Sequence, residues 1–234
     1  MEIVIAHLVE LLRKGLVVSC QAPADSPLHD PHIIAAIAQA AVDRGAVAVR
    51  IDSPPHIQAV RHHVSVPIIG LWKRQFPDSE VYITPQYRQA QAVALAGADI
   101  IAIDATSRPR PGGITLPDLI ARIRTDLQKP VMADIDTVEN AIAAAEAGAD
   151  FIGTTLYGYT AATQKHAPPG FEVLQELTQT LKHPIICEGG IASPAMARKA
   201  LDLRAHCVVV GTAITGVDAQ THAFCTAISN PSSH

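Results

Sequence analysis

The sequence has few of the features that mark membrane, nucleic-acid-binding or metal-binding proteins. No apolar run approaches the length that spans a membrane, and basic residues occur only as scattered pairs. Its eleven histidines include no HExxH or comparable cluster, so we expect no metal site. Charged residues make up 17% and hydrophobic residues 48% of the chain. This composition predicts a globular protein without nucleic-acid or membrane partners.

Cysteine is also sparse, and its spacing argues against disulfides and zinc. None of the four cysteines forms a CxxC pair, and Cys20, Cys187 and Cys207 fall in predicted strands, where buried reduced thiols fit well. Residues 1–15 contain acidic side chains and a helical apolar rhythm, so we interpret them as a capping helix and not as a signal peptide. We therefore expect a cytoplasmic protein.

Eight short apolar runs alternate with alanine-rich stretches of helical spacing. Strand followed by helix, repeated eight times, is typical of the (β/α)8 or TIM barrel, an α/β fold. The length of 234 residues suits one such barrel, so we expect a single domain over 1–234 with an N-terminal capping helix. The runs cover residues 16–21, 46–51, 67–70, 99–104, 130–134, 151–155, 184–188 and 207–211.

Turn residues support this strand count. The AGAD segments at 96–99 and 147–150 each close an alanine-rich helix with a glycine and open the next run. The competing fold is a doubly wound open sheet, whose first turn would carry a GxGxxG-like motif. This chain has SCQAP at 19–23 instead, so the barrel is the better prediction.

In a barrel, the residues that follow each strand surround one opening, where the active site is built. Among them, Lys73 could act as a Schiff-base nucleophile, as a proton donor or acceptor, or as a solvated side chain. Glu188 ends an apolar strand, where a carboxylate is costly unless it is paired or used. The residues expected around the opening are Gln21, Arg50, Lys73, Asp104, Asp134, Thr154, Glu188 and Gly211.

Three further features of these loops suggest roles. Of Asp104 and Asp134, one could be catalytic and the other a hydrogen-bonding organiser, and spacing does not say which. The RPRP segment at 108–111 could bind an anion or form a solvated surface loop. Glycine turns after the seventh and eighth strands resemble the phosphate cradle common in barrels, so the phosphate-binding candidates are Gly189, Gly190, Gly211 and Thr212.

Several segments from about residue 16 to 215 resemble the N-acetylmannosamine-6-phosphate 2-epimerases. They are VSCQ at 18–21, AVRI at 48–51, PIIG at 67–70 with Lys73-Arg74, AIDAT at 102–106, RPRP at 108–111, GTTLYGYT at 153–160, and Glu188-Gly189. The resemblance implies a TIM barrel that interconverts N-acetylmannosamine 6-phosphate and N-acetylglucosamine 6-phosphate in sialic acid catabolism. It also implies that the chain forms homodimers.

The same resemblance implies roles for individual residues. It gives Lys73 and Glu188 the catalytic role. The implied substrate-binding residues are Gln21, Arg50, Asp134, Thr154 and Thr155. Two positions depart from the family: Gly216 stands where an arginine usually helps to hold phosphate, and Gly190 stands where many members have a bulky basic residue. Losing one guanidinium at a phosphate removes a bond of about 1.5–3 kcal/mol.

The residues permit a two-base mechanism. Lys73 and Glu188, on the third and seventh strands, would flank C2 of an open-chain sugar from opposite sides, with Arg50 or the lysine ammonium stabilising the enediolate oxygen. Gln21 and Asp134 would orient sugar hydroxyls and Lys73. No metal or nicotinamide cofactor is required. The alternatives are another phosphosugar enzyme, such as a ribulose-phosphate epimerase or a Schiff-base aldolase, and a non-catalytic sugar-phosphate sensor.

Overall fold

Eight parallel strands close into a barrel in chain order. The computed structural model describes residues 1–229, and each strand pairs with the next, while the eighth pairs with the first. The strands are β1 Leu16–Cys20, β2 Ala48–Asp52, β3 Ile68–Leu71, β4 Ile100–Asp104, β5 Val131–Asp134, β6 Phe151–Gly153, β7 Ile185–Cys187 and β8 Cys207–Val210. The barrel prediction is confirmed, and each predicted run agrees with its strand to within two residues at either end.

Helices follow every strand and surround the barrel. Proline near the start of α2, α3, α5 and α8 suits a first turn whose N–H groups lack helical partners. Side chains of Asp30, Thr115, Thr137 and Ser193 cap four helices. The helices are α1 Glu2–Leu12, α2 Pro31–Val42, α3 Pro54–Arg61, α4 Tyr87–Leu95, α5 Leu116–Asp126, α6 Val138–Glu146, α7 Phe171–Thr180, α8 Pro194–Asp202, α9 Thr212–Thr215 and α10 Val217–Ser229.

Alternation along the strands divides the buried apolar side chains into two groups. Val18, Val49 and Ile68 belong to the larger group, which packs between the strands and the surrounding helices. Their neighbours Val17 and Ile69 belong to a second group that contains no residue of α2–α8 and fills the barrel interior. The interior is therefore a packed core, and it supports the polar residues at the carboxyl ends of the strands.

The first helix closes the amino end of the barrel, as predicted. Leu8 and Leu12 of α1 are buried against the interior group. The backbone N–H of Lys14 donates to the carbonyl of His206 at 2.6 Å, and the His206 ring contacts the carbonyl of Val9 at 2.7 Å. These contacts join α1 to the start of β8 and leave the carboxyl end as the open end.

The cysteines predicted to be reduced and buried in strands are found in that state. Cys20, Cys187 and Cys207 are free and buried in strands, and Cys225 is free and exposed on α10. His62 and His63 lie exposed at the end of α3. Within residues 1–229, no helix is both long and apolar enough to cross a membrane.

Candidate active site

A cavity of about 1000 Å³ opens at the carboxyl ends of the strands. Most of the site residues predicted from the sequence line this cavity. The exceptions are Asp104, Asp134 and Thr154. The predicted residues that line it are Gln21, Arg50, Lys73, Thr155, Glu188, Gly189, Gly190, Gly211 and Thr212. The order of strands in the barrel therefore brings together side chains that are far apart in sequence.

Arg50, on β2, organises the base of this cavity. Its guanidinium makes a bidentate contact with Asp134 on β5, with Nη2 2.7 Å from Oδ2 and Nη1 3.1 Å from Oδ1. Its Nε lies 3.1 Å from Oε1 of Glu188, although the angle is not that of a hydrogen bond. Burial alone would lower the pKa of Arg50, but Asp134 and Glu188 outweigh it and the net shift is upward. The guanidinium is therefore a fixed positive charge beneath the site.

Glu188 follows β7 and is held from its backbone. The hydroxyl of Thr154 donates to the Glu188 carbonyl at 2.9 Å and accepts from its N–H at 3.1 Å. The carboxylate is largely buried, and within the described chain its Oε2 has no hydrogen-bond partner. Burial, opposed by Arg50 and reinforced by Asp134, raises the pKa of Glu188 to about 7. This carboxyl can exchange a proton near neutral pH.

Lys73 lies two residues beyond β3, where its backbone pairs with Ile83 in an antiparallel bridge. Its N–H donates to Oδ1 of Asp52 at 2.9 Å, and its ammonium donates to Oε1 of Gln21 at 2.5 Å. Gln21 is held in turn by the hydroxyl of Ser19, 2.9 Å from Nε2. These contacts fix the position of the Lys73 side chain at the mouth.

The environment of Lys73 favours its neutral form. The side chain is accessible to solvent, but the walls of the mouth surround it, and this desolvation lowers its pKa against an opposing attraction from Asp52. Arg50 lowers the pKa further, whereas Glu188 raises it. In return, Lys73 lowers the pKa of Glu188, so the two groups are close enough to interact electrostatically.

Asp134 and Thr154 lie behind the cavity wall. Asp134 is completely buried, and its two oxygens accept from Arg50 and from the Thr155 hydroxyl at 2.6 Å. It makes no contact with Lys73 in the described chain, so the prediction that it orients Lys73 is wrong. Its carboxylate is already used by two donors, and it positions Arg50 and Thr155 instead.

Asp104 is also a buried organiser. It accepts from Arg108 Nη2 at 2.7 Å and from the Thr106 hydroxyl at 2.7 Å, and its carbonyl accepts from Arg110. Burial, opposed by Arg108, raises the pKa of Asp104. The arginines of the RPRP segment are engaged by β4, so the reading as a solvated surface loop is wrong. Nη1 of Arg110 has no hydrogen-bond partner within residues 1–229, and the anion-binding reading stays a prediction.

The predicted phosphate-binding turns lie together on the wall formed by β7 and β8. Gly189 and Gly190 have φ of +97° and +70°, which favour glycine. At Gly190 a Cβ atom would stand 2.7 Å from the carbonyl carbon of Pro168, so the loop after β6 occupies the space of any side chain there. The backbone N–H groups of 189, 190, 211 and 212 have no hydrogen-bond partner within residues 1–229.

Two residues that contribute to the site, Asp52 and Tyr82, were not predicted from the sequence. Asp52 ends β2, so the rule that selected the other residues could have found it, but the predicted strand stopped one residue earlier. Tyr82 lines the cavity from the loop after β3, and nothing in the local sequence distinguishes it from other loop residues. Burial and the negative charge of Asp134 raise the pKa of Tyr82, so its hydroxyl remains protonated at neutral pH.

The chain matches a family model described as "Putative N-acetylmannosamine-6-phosphate epimerase" over residues 34–230. The chain belongs to this epimerase family. A curated relative from Synechococcus elongatus, named "Putative N-acetylmannosamine-6-phosphate 2-epimerase", is 61% identical over 93% of this chain and 95% of its own. A relative of the same name from Thermosynechococcus vestitus is 60% identical over 95% of this chain and 96% of its own.

Solved structures agree with the family assignment. The N-acetylmannosamine-6-phosphate 2-epimerase from Clostridium perfringens superimposes with a TM-score of 0.90 at 40% identity, covering 94% of this chain and 96% of that chain. Thiamine phosphate pyrophosphorylase from Pyrococcus furiosus matches with a TM-score of 0.59 at 17% identity, covering 90% and 91%, and shows the shared fold alone. Membership in the epimerase family disfavours the ribulose-phosphate epimerase, aldolase and sensor alternatives.

Proposed function

We propose that this member of the epimerase family interconverts N-acetylmannosamine 6-phosphate and N-acetylglucosamine 6-phosphate by proton transfer at C2. The observation that carries the proposal is the pairing of Lys73 and Glu188 in one cavity. The pKa of the lysine is lowered and that of the glutamate is raised to about 7. General acid–base groups work best with pKa values near the working pH. Both shifts bring the pKa values of Lys73 and Glu188 closer to neutral pH.

The reaction needs the C2 proton removed from one face of the sugar and a proton delivered to the other. That proton is acidic only in the open-chain form, where charge spreads from C2 onto the aldehyde oxygen. Lys73 and Glu188 follow β3 and β7, which lie on opposite sides of the barrel. A sugar held between them presents one face of C2 to each group.

The proton balance of the reaction determines the protonation states of Lys73 and Glu188. If Glu188 accepts the C2 proton and Lys73 donates to the opposite face, the pair passes from carboxylate and ammonium to carboxylic acid and amine. The opposite direction reverses this change. Both states have the same total charge, and burial favours the neutral one. Exchange with solvent restores the starting state before the next turnover.

The surrounding residues prepare the pair. Gln21 holds the Lys73 ammonium by its carbonyl oxygen and so sets the approach of the nitrogen to the sugar. Arg50 lies against Oε1 of Glu188 as an ion pair, and so places a fixed positive charge beside the carboxylate. The enediolate oxygen would be stabilised by Arg50 or by the lysine ammonium.

The phosphate of the substrate would lie at the wall formed by residues 189–190 and 211–212. Their backbone N–H groups have no partner within the described residues and suit oxygen acceptors, which supports the role of Gly189, Gly190, Gly211 and Thr212. Gly190 can contribute only its backbone, because Pro168 fills the space beside it.

Conversion of the phosphorylated sugar in D₂O tests this function directly. We expect N-acetylmannosamine 6-phosphate to yield N-acetylglucosamine 6-phosphate carrying deuterium at C2, measured by NMR. Conversion without deuterium uptake would contradict proton transfer through exchangeable groups, and no conversion would contradict the function itself.

We further propose that the chain acts as a homodimer in the cytoplasm. None of the thirteen residues of α10 is buried, and Phe224 and Ile228 are 69% and 79% exposed. A helix of this length is marginally stable in water without packing. A second copy of the chain covering α10 would supply that packing. The three buried free thiols suit a reducing compartment.

A further inference from the structure

A second cavity, of about 410 Å³, lies between the loop after β4 and the helices α5 and α6. It shares no lining residue with the active-site cavity. Its charged lining residues are Arg108 and Arg110 of the RPRP segment, and no aspartate or glutamate of the described chain lines it. The cavity therefore has a positively charged wall that the proposed reaction does not use.

Arg110 is a buried cation that forms no salt bridge with any carboxylate among residues 1–229. The residue is only 7% exposed, and its Nη2 donates to the backbone carbonyl of Asp104. Its Nη1 is buried and has no hydrogen-bond partner in the same part of the chain. Because a guanidinium stays protonated in proteins, this buried charge is costly unless an acceptor compensates for it.

The carboxylate of Asp104 does not supply that acceptor, because other groups already use both of its oxygens. Its Oδ2 accepts from Arg108 at 2.7 Å, and its Oδ1 accepts from the hydroxyl and the N–H of Thr106 at 2.7 and 3.0 Å. Glu80 approaches Arg108 at 3.9 Å from an exposed position. Burial, opposed by Asp104 and reinforced by Arg108, lowers the pKa of Arg110. An anion beside Arg110 would therefore stabilise its charge.

Neutral donors lie on the same wall. The backbone N–H groups of Ser107 and Arg108 have no hydrogen-bond partner in the part of the chain that the structure describes, and neither has the Ser107 hydroxyl. Arginine side chains combined with free backbone N–H groups suit the several oxygens of a phosphate group.

We infer that this cavity binds the phosphate group of a small molecule. Nη1 of Arg110 would donate to one phosphate oxygen, and the N–H groups of Ser107 and Arg108 would donate to others. Neighbouring atoms cover Nη1, so the anion reaches it after a small side-chain movement of the kind that commonly accompanies binding. The volume lies in the range of small-molecule sites, so it admits a small phosphate ester as well as the free ion.

Titration of isotope-labelled protein with inorganic phosphate or with glycerol 3-phosphate, followed by two-dimensional amide NMR, tests this inference. We expect the amide resonances of Ser107 and Arg108 to shift along a saturable curve. Tighter binding of glycerol 3-phosphate identifies a phosphate ester as the preferred ligand, and tighter binding of inorganic phosphate identifies the free ion. No saturable shift with either probe overturns the inference. Shifts at residues 189 and 190 concern the phosphate wall of the proposed active site and bear on the proposed function alone.

Substitution of Arg110→Gln tests the part played by the buried guanidinium. We expect the affinity measured at Ser107 and Arg108 to fall by about 10- to 100-fold, because a charge-assisted hydrogen bond to phosphate is lost. Arg198→Gln is the matched control, because it removes one guanidinium from an exposed pair on α8, and it should leave the affinity unchanged. Equal affinity in Arg110→Gln and the parent, or an equal loss in the control, overturns the inference.

Ser107→Asp provides a second test, which keeps Arg110 and its bond to Asp104. Ser107 is exposed and lines the cavity, so the substitution adds a negative charge there without removing a hydrogen bond of the described chain. We expect the affinity measured at Arg108 to fall about tenfold, the effect of one carboxylate on a phosphate at about 4 Å in water. Circular dichroism checks that each variant is folded. Unchanged affinity in folded Ser107→Asp overturns the inference even if Arg110→Gln does not fold.

Discussion

The guanidinium of Arg50 lies flat against the carboxylate of Asp134 and touches the carboxylate of Glu188 with its remaining nitrogen. One cation thus contacts two carboxylates, one on β5 and one directly after β7. Because Arg50 and the Thr155 hydroxyl both donate to Oδ1 of Asp134, the ion pair also fixes the loop after β6. The acid–base properties of Glu188 depend on this arrangement.

Asp134→Asn should destabilise the protein and shift its pH profile. Removing one charge of a buried pair costs about 3–5 kcal/mol, measurable by urea denaturation. Asp134 raises the pKa of Glu188, so its loss should move the Glu188 limb of the pH–kcat/KM profile to lower pH. Asp99→Asn, in the partly exposed pair with Arg61, is the control and should leave the profile unchanged. An unshifted profile in Asp134→Asn contradicts the coupling.

Lys73→Ala and Glu188→Ala test the acid–base pair. Each substitution removes one of the two groups that reach C2, so each should nearly abolish deuterium incorporation from D₂O at that carbon. A variant that retains full exchange rules out the substituted residue as an acid–base catalyst. Lys129→Ala, on the loop before β5 and outside the cavity, serves as the control and should exchange normally.

The pKa of Glu188 predicts a pH-dependent stability difference. Its pKa in the folded protein is raised from 4.5 to about 7, so the folded state binds the proton more tightly than the unfolded state. This contribution is complete below pH 4.5 and is lost as pH rises to about 7. Glu188→Gln cannot titrate there. The melting temperature of the variant relative to the parent should therefore be higher at pH 8 than at pH 5.

Calorimetry at the two pH values measures this difference. A relative melting temperature that is the same at both, or lower at pH 8, would show that the folded protein does not disfavour the ionised carboxylate. The sign, and not the absolute stability of the variant, is the test, because the lost contact with Arg50 affects both measurements.

Gly190→Ala should destabilise the protein more than Gly113→Ala. The two glycines have φ of +70° and +74°, so both substitutions impose a similar backbone cost. At Gly113 the new Cβ meets nothing within 4 Å, whereas at Gly190 it meets the backbone of Pro168 at 2.7 Å. We expect an additional loss of about 1–3 kcal/mol from overpacking, measured by urea denaturation. Equal losses of unfolding free energy in the two variants would show that the loop after β6 moves aside without an energetic cost.

Phe224→Glu should convert the proposed dimer to a monomer. A charge placed on the apolar face of α10 opposes its burial against a second copy. Thr226→Glu, on the opposite side of the same helix, is the control and should leave the mass unchanged. Analytical ultracentrifugation measures both. A parent protein that sediments as a monomer contradicts the dimer, as does a Phe224→Glu variant that remains dimeric.

The barrel could be predicted from sequence because its signal is repeated. Each strand is an apolar run, and α2, α4 and α6 are each followed within three residues by a glycine of positive φ, so an error at one boundary does not affect the rest. The same regularity identified Arg50, Lys73 and Glu188, which lie within two residues of the carboxyl ends of β2, β3 and β7. Burial patterns specify such positions through the local chain, and no knowledge of distant contacts is needed.

Contacts between loops could not be predicted in this way. Asp104 and Asp134 look alike in sequence, and only the positions of Arg108 and Arg50 show that both are buried organisers. The reason for glycine at 190 lies in Pro168, more than twenty residues earlier. Such relationships depend on how two loops pack, and local composition carries no record of that packing.

Because Leu8 and Leu12 close the amino end of the barrel, substrate reaches the active-site cavity from the carboxyl end. Substrate and product must therefore enter and leave through the same end of the barrel. The two epimers differ at one carbon only, so the departing molecule competes with the next arrival for the same binding contacts. Turnover therefore slows as conversion proceeds, and the ratio of the two sugars outside governs the net direction of flow.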